Sequence, residues 1–190
     1  MRLFAAFDLD DSARGLAVEL SARLQATGFV ARFERPEKLH LTVAFLGHVT
    51  ADRYADVVAA LQTAAARSRA FRLTLDSIGA FPNVRHPRVV WVGSSSPAAE
   101  YTSCAQAVRA ELGRLGWTFD QEPTAHVTIA RAKNHSQSVP QVMMPAPVSL
   151  ELRELRLYES LAAGPTTRYE LRESFRLNSE FGRRVAGRRG

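Results

Sequence analysis

Apolar residues alternate with polar ones in several short stretches and recur every three or four residues in three longer ones, the two periods of strand and helix. Residues 2 to 8 read as a strand. Asp10 is a good helix N-cap, and Ala13, Leu16, Ala17, Leu20 and Leu24 form an apolar stripe that stops at Gly28. A short strand near 30 to 34 follows, then the β-rich run from Leu39 to Leu46, closed by Gly47. Thr50 caps a second helix with Tyr54, Val57, Val58 and Leu61 inward. Strands at 71 to 78 and 88 to 93 flank the turn-rich segment from Gly79 to Pro87, a hairpin with a long tip. Ser96 as N-cap and Pro97 at the first helical position open a third helix, with Tyr101, Cys104, Ala105, Val108, Leu112 and Leu115 inward. Strands near 117 to 120 and at 125 to 131 come next, and two long strands, 148 to 158 and 167 to 177, surround a turn at Gly164-Pro165.

The pattern repeats. With the chain laid on itself at an offset of 86 residues, the strand at 2 to 7 falls on 88 to 93, Asp10 on Ser96, helix on helix, and His40, Thr42 and Ala44 on His126, Thr128 and Ala130. No gap is needed over about 45 positions. This predicts an α+β fold of duplicated β-α-β-β units, with pseudo-repeats at about 2–47 and 88–133 inside one bilobal domain spanning 1–177.

Composition narrows the class. With 46% hydrophobic and 23% charged residues in 190, the chain is an ordinary globular one. Half of its net charge of +6 sits in residues 178–190, where Arg183, Arg184, Arg188 and Arg189 face only Glu180. The body is therefore too weakly basic to imply nucleic acid by charge alone. The tail has no hydrophobic period and is expected to be disordered. A lone Cys104 excludes an intrachain disulfide and a multi-cysteine metal site, and suits a reducing compartment. The first eight residues make neither a secretory nor a transit signal, which points to the cytosol. Residues 134 to 150, free of Asp, Glu, Lys and Arg and holding Pro140, Pro145 and Pro147, read as a loop over a site.

The chemistry lies in two equivalent tetrapeptides, His40-Leu-Thr-Val43 and His126-Val-Thr-Ile129. Side chains two apart on a strand share a face, so each half offers an imidazole and a hydroxyl together. Five histidines and eleven threonines give about 0.3 chance His-x-Thr triplets. The matching register of the two that occur is the stronger signal. The bland alternative is two histidines satisfied by local hydrogen bonds, and for the threonines simple strand propensity. His48, His86 and His135 lie in loop-like stretches and read as solvated.

The paired motifs resemble the two-histidine phosphoesterase superfamily, and the rest of the chain is similar to its bacterial and archaeal RNA 2′,3′-cyclic phosphodiesterases, also described as 2′-5′ RNA ligases. Matching pieces are Met1 to Asp8, Leu39 to Gly47, Gly79 to Pro82, Pro87 to Gly93, His126 to Arg131 and Glu159-Ser160. One departure is Ala125, where the family commonly has Pro. The resemblance implies two antiparallel sheets flanking a central cleft, with one His-x-Thr from each lobe. It also implies hydrolysis of RNA 2′,3′-cyclic phosphate ends to a 2′-phosphate, with reverse 2′-5′ ligation as a further capacity. His40 is then the proton donor, His126 the acceptor, and Thr42 and Thr128 donors to phosphoryl oxygens. Arg131 matches the family's basic residue after the second motif, a candidate phosphate clamp. Its parity is opposite to that of His126 and Thr128, so only a bulge would bring it to their face; a surface ion pair is the alternative. Phe81 and Trp91 are candidates to stack on a terminal base, against core packing for Trp91 and a turn-tip hydrophobe for Phe81.

Two imidazoles suit this chemistry near neutral pH, one taking a proton from water and one returning it to the ribose oxygen. Neither motif holds a carboxylate, so no metal and no cofactor are expected. Expected partners are RNA with a cyclic phosphate end or a small cyclic nucleotide, with no membrane, the chain acting as a monomer. The alternatives are a related phosphodiesterase acting on small cyclic nucleotides or 2′-5′ linkages, a metallophosphodiesterase, and a non-catalytic single-stranded RNA-binding module.

Overall fold

The computed structural model of the chain describes residues 1–134, 136–164 and 166–178; residues 179–190 of the basic tail, Pro165 and His135 lie outside them. The Asp10 carboxylate accepts from the Ala13 N–H at 2.8 Å and opens α1 (Asp11–Ala26). Around it run β1 (Arg2–Asp8), β2 (Ala31–Phe33) and β3 (His40–His48). A 3-10 turn at Ala51–Arg53, not a side-chain cap from Thr50, leads into α2 (Tyr54–Arg67). The remaining elements are β4 (Phe71–Leu75), β5 (Ser77–Phe81), β6 (Val89–Gly93), α3 (Ala99–Arg114), β7 (His126–Ala132), β8 (Val148–Leu152), β9 (Glu154–Ala163) and β10 (Thr166–Arg176). Helix α3 starts later than Ser96-Pro97 suggests. Ser95 spends its N–H and hydroxyl on the Asp76 carboxylate, at 2.6 and 2.7 Å, and Ser96 donates to the Ser94 hydroxyl. Among the described residues no helix is long and apolar enough to cross a membrane.

Two stretches expected as single strands break, at Asp76 and Arg153. Their first halves, β4 and β8, pair with each other, while β5 and β9 join the main sheet. That sheet runs β10-β9-β1-β3-β7-β6-β5, with β2 added beside β7, antiparallel throughout. The fold is α+β, as expected. Its two sheet halves are continuous through one residue pair, Leu41 opposite Val127. Both residues are fully buried, and with Leu3, Phe7, Val43 and Ile129 they face the apolar stripes of the helices in a single core. Burying side chains of this size stabilises by about 1.5–3 kcal/mol each. The opposite face carries the histidines.

The equivalence of the halves is not gapless. Asp8, Phe7 and Ala6 oppose His40, Leu41 and Thr42, whereas Gly93, Val92 and Trp91 oppose His126, Val127 and Thr128. The first strands thus correspond at an offset of 85. The buried stripes Ala13, Leu16, Leu20, Leu24 and Tyr101, Cys104, Val108, Leu112 correspond at 88. Only β3 and β7 keep 86.

The halves also differ beyond the shared pair, where each of β3 and β7 presents an edge. β2 covers that of β7 with backbone bonds. No strand forms at 117–120 to do the same for β3. Side chains stand in: the Tyr101 hydroxyl donates to the Thr42 carbonyl at 2.6 Å, Arg109 Nε to that of Val43 at 3.4 Å and Trp117 Nε1 to that of Leu46 at 2.9 Å. These three side chains give the carbonyls of that edge donors that a neighbouring strand would otherwise supply.

Candidate active site

Because Leu41 and Val127 turn into the core, their neighbours His40, Thr42, His126 and Thr128 turn out on the other face. Continuing the antiparallel register sets His40 opposite Thr128 and Thr42 opposite His126. His126 lies near enough to His40 for its charge to act on that ring. The four side chains singled out in the sequence therefore gather at one junction, all half-buried.

Each ring is oriented in the same way. His40 Nδ1 lies 2.6 Å from the Lys38 carbonyl and His126 Nδ1 2.8 Å from that of Thr124, two residues back in each case. A carbonyl only accepts, so Nδ1 carries the hydrogen and Nε2 is left for chemistry. Aromatic rings fix the planes. Phe4 and Tyr169 meet His40 with centroids at 5.0 and 5.4 Å, and Phe81 meets His126 edge-on at 4.9 Å, with Trp91 at 6.3 Å. The Trp91 indole lies over Gly79 and Gly93, where a Cβ would come within 2.2 and 2.9 Å of its ring. The glycines are what admit it. Its Nε1 is buried without a hydrogen-bond partner.

The two imidazoles are held below the usual histidine pKa, chiefly by burial, against which the Lys38 and Thr124 carbonyls act. Beyond that their surroundings diverge. Asp8 and Glu34 raise the value at His40 and His126 lowers it, whereas Arg131 lowers that of His126.

Arg131 reaches this face because β7 bulges. Val90 pairs with Ala130 and Trp91 with Thr128, leaving Ile129 as an extra residue that inverts the parity beyond it. The side chain is half exposed and its Nε donates to Glu34 at 3.0 Å, so the bulge and the surface ion pair both occur. β3 has the equivalent bulge at Val43, which turns out Phe45, 67% exposed and beside Phe4. Phe45 was not legible as a site residue, because strict alternation buries it; the shared motif register with Arg131 was the available signal. Asp8 and Tyr169 also join the site, brought by pairing of β1 with β3 and by the β9–β10 hairpin. No local pattern marks either.

His48 and His86 are exposed. Within residues 134 to 150, the hydrogen bonds that tie Gln137, Val139 and Met143 run to segments other than the two histidine motifs. Gln137 bonds Val30 in both directions, Val139 N–H donates to Val84, and Arg23 donates to the Met143 carbonyl, holding the segment near the Ala132 end of β7. Among the described residues no three of His, Cys, Asp and Glu gather where they could hold one metal ion. A cavity of about 780 Å³, lined by Arg69, Phe71, Ser103 and Cys104 among others, shares no residue with the histidine site.

The LigT like Phosphoesterase family matches residues 7–91. An RNA 2′,3′-cyclic phosphodiesterase of Archaeoglobus fulgidus is 33% identical over 165 residues, covering 85% of this chain and 92% of its own. The enzyme of that name from Escherichia coli is 32% identical, with 88% and 92% covered. Among solved structures, E. coli LigT in apo form superposes with a TM-score of 0.76 at 29% identity, covering 94% of this chain and 98% of that one. E. coli LigT has also been seen complexed with 3′-AMP, at a TM-score of 0.74, 30% identity and 93% and 97% covered. Identity at this level along most of both chains, on one shared architecture, means that the chain belongs to the LigT-like phosphoesterases.

Proposed function

We propose that the protein hydrolyses the 2′,3′-cyclic phosphate at an RNA end to a 2′-phosphate, without a metal ion. Neutral His126 takes a proton from water through Nε2 as the water oxygen bonds to phosphorus. The bond from phosphorus to the ribose 3′ oxygen breaks on the opposite side, and His40 gives that oxygen its Nε2 proton. Thr42 and Thr128 donate to the non-bridging oxygens as charge grows on them. Arg131 lends positive charge to the His126 side, and Phe81 and Phe45 offer a ring on either side of the phosphate to a base. A 5′-hydroxyl in place of water would give a 2′-5′ linkage by the same geometry.

The carrying observation is the pair of imidazoles whose Nδ1 atoms are both tied to backbone carbonyls, leaving two Nε2 atoms beside one strand junction. The name carried by the relatives, RNA 2′,3′-cyclic phosphodiesterase, supports the substrate class. A single buried cysteine suits a reducing cytosol. Incubation of a cyclic-phosphate-ended oligoribonucleotide in excess chelator is expected to yield the 2′-phosphate, identified by its resistance to a 3′-specific phosphatase. Turnover abolished by the chelator would refute the mechanism, and turnover of cyclic mononucleotides alone would refute the RNA substrate.

A further inference from the structure

Two like imidazoles do not by themselves determine which carries the proton. The strands beside them differ in charge at the position matched to each ring: Asp8 stands opposite His40, and Gly93, with no side chain, opposite His126. The Asp8 carboxylate is held from behind. The Tyr158 hydroxyl donates to it at 2.5 Å and the Arg156 guanidinium pairs with it, while the same guanidinium pairs with Glu154 at 2.9 Å. Two carboxylates thus share one cation, and the group presents net negative charge to His40.

Of the other charged neighbours of His40, only Glu34 acts in the same direction. Glu34, after β2, is engaged by Arg131 and Arg32. Lys38 turns its ammonium to Thr167 and the Tyr169 ring, giving His40 only its backbone carbonyl. Tyr169 from β10 contributes a ring edge, and His126 from β7 a like charge whenever it is protonated.

We propose that Asp8 is the positioning residue for the proton: its carboxylate, opposite His40 on the adjoining strand, keeps the proton on His40 and so makes that imidazole the acid and His126 the base. This rests on the two-histidine reading above and adds the reason for its polarity. The neutral, near-isosteric Asp8→Asn separates charge from shape. Titration of the imidazole C–H signals by NMR is expected to show the His40 midpoint lowered by about one pH unit, the ordinary effect of removing a nearby opposite charge, and the His126 midpoint moved far less. In the kcat/KM profile on a cyclic-phosphate oligonucleotide, the alkaline limb is expected to move with it, lowering the rate about tenfold near pH 8 and less only as the pH falls below the His40 midpoint. Asp8→Glu should restore most of both. An unmoved His40 midpoint would overturn the proposal whatever the activity, since Asp8 would then be merely structural. A midpoint that moves without the alkaline limb would overturn it differently, by showing that His40 is not the acid. Should Asp8→Asn fail to fold, Asp8→Ser is titrated in the same way.

Discussion

At the residue scale, the site divides its labour between groups that move protons and groups that stabilise charge. Replacing His40 or His126 by Ala removes a proton-transfer step, for which a loss of about 10²- to 10⁴-fold in kcat is expected. Binding of an oligonucleotide ending in a 2′-phosphate, followed by anisotropy, should survive within a few-fold, because neither ring is the main source of contact area. Thr42→Val and Thr128→Val keep the strand shape and lose one donor each. They should cost about 10²- to 10³-fold in kcat, the usual value of one such donor. Near wild-type turnover in both histidine variants would end the catalytic assignment.

At the scale of elements, two bulges and one substituted edge do most of the arranging. The bulges at Val43 and Ile129 invert the parity of each strand beyond its motif and aim Phe45 and Arg131 at the site. Three side chains replace the strand that the second half lacks, and Tyr101 is the one that touches the motif itself. Its hydroxyl is buried, and burial pushes its pKa well above the usual phenol range, so it stays a donor. Tyr101→Phe leaves the Thr42 carbonyl without that donor and should destabilise by about 1–3 kcal/mol in urea unfolding, since a buried acceptor loses its partner. It should also lower kcat more than it raises KM, because Thr42 acts on the developing charge. An unchanged unfolding midpoint would mean that water replaces the hydroxyl.

For the whole molecule, the buried histidines tie stability to pH. The folded state holds His40 and His126 below their ordinary value near 6.5, so in the window just below 6.5 the unfolded chain binds more protons than the folded one. Stability must therefore fall as pH drops from about 6.5, and the loss from these groups is complete once both states are protonated. Urea unfolding at pH 7.5 and 5.5 should show this, and the double variant His40→Gln, His126→Gln should show a smaller difference between the two. An equal difference would place the pH dependence elsewhere.

The sequence by itself determined the helices, most strands, the α+β class and the two motifs, because hydrophobic period and N-caps are local and a His-x-Thr on a strand leaves both side chains on one face whatever surrounds it. It marked Arg131 and named the bulge that would bring it in, without being able to locate the bulge, since an extra residue is defined only against a partner strand. Only the tertiary structure decided that Leu41 meets Val127, that Asp8 rather than a glycine faces the first histidine, that residues 117 to 120 form no strand, and that Gln137 is tied to Val30 and Val139 to Val84. Each of these depends on which backbone edge finds which donor across more than 30 residues of chain, and on the charges that pairing brings together, neither of which has a periodic trace in the sequence.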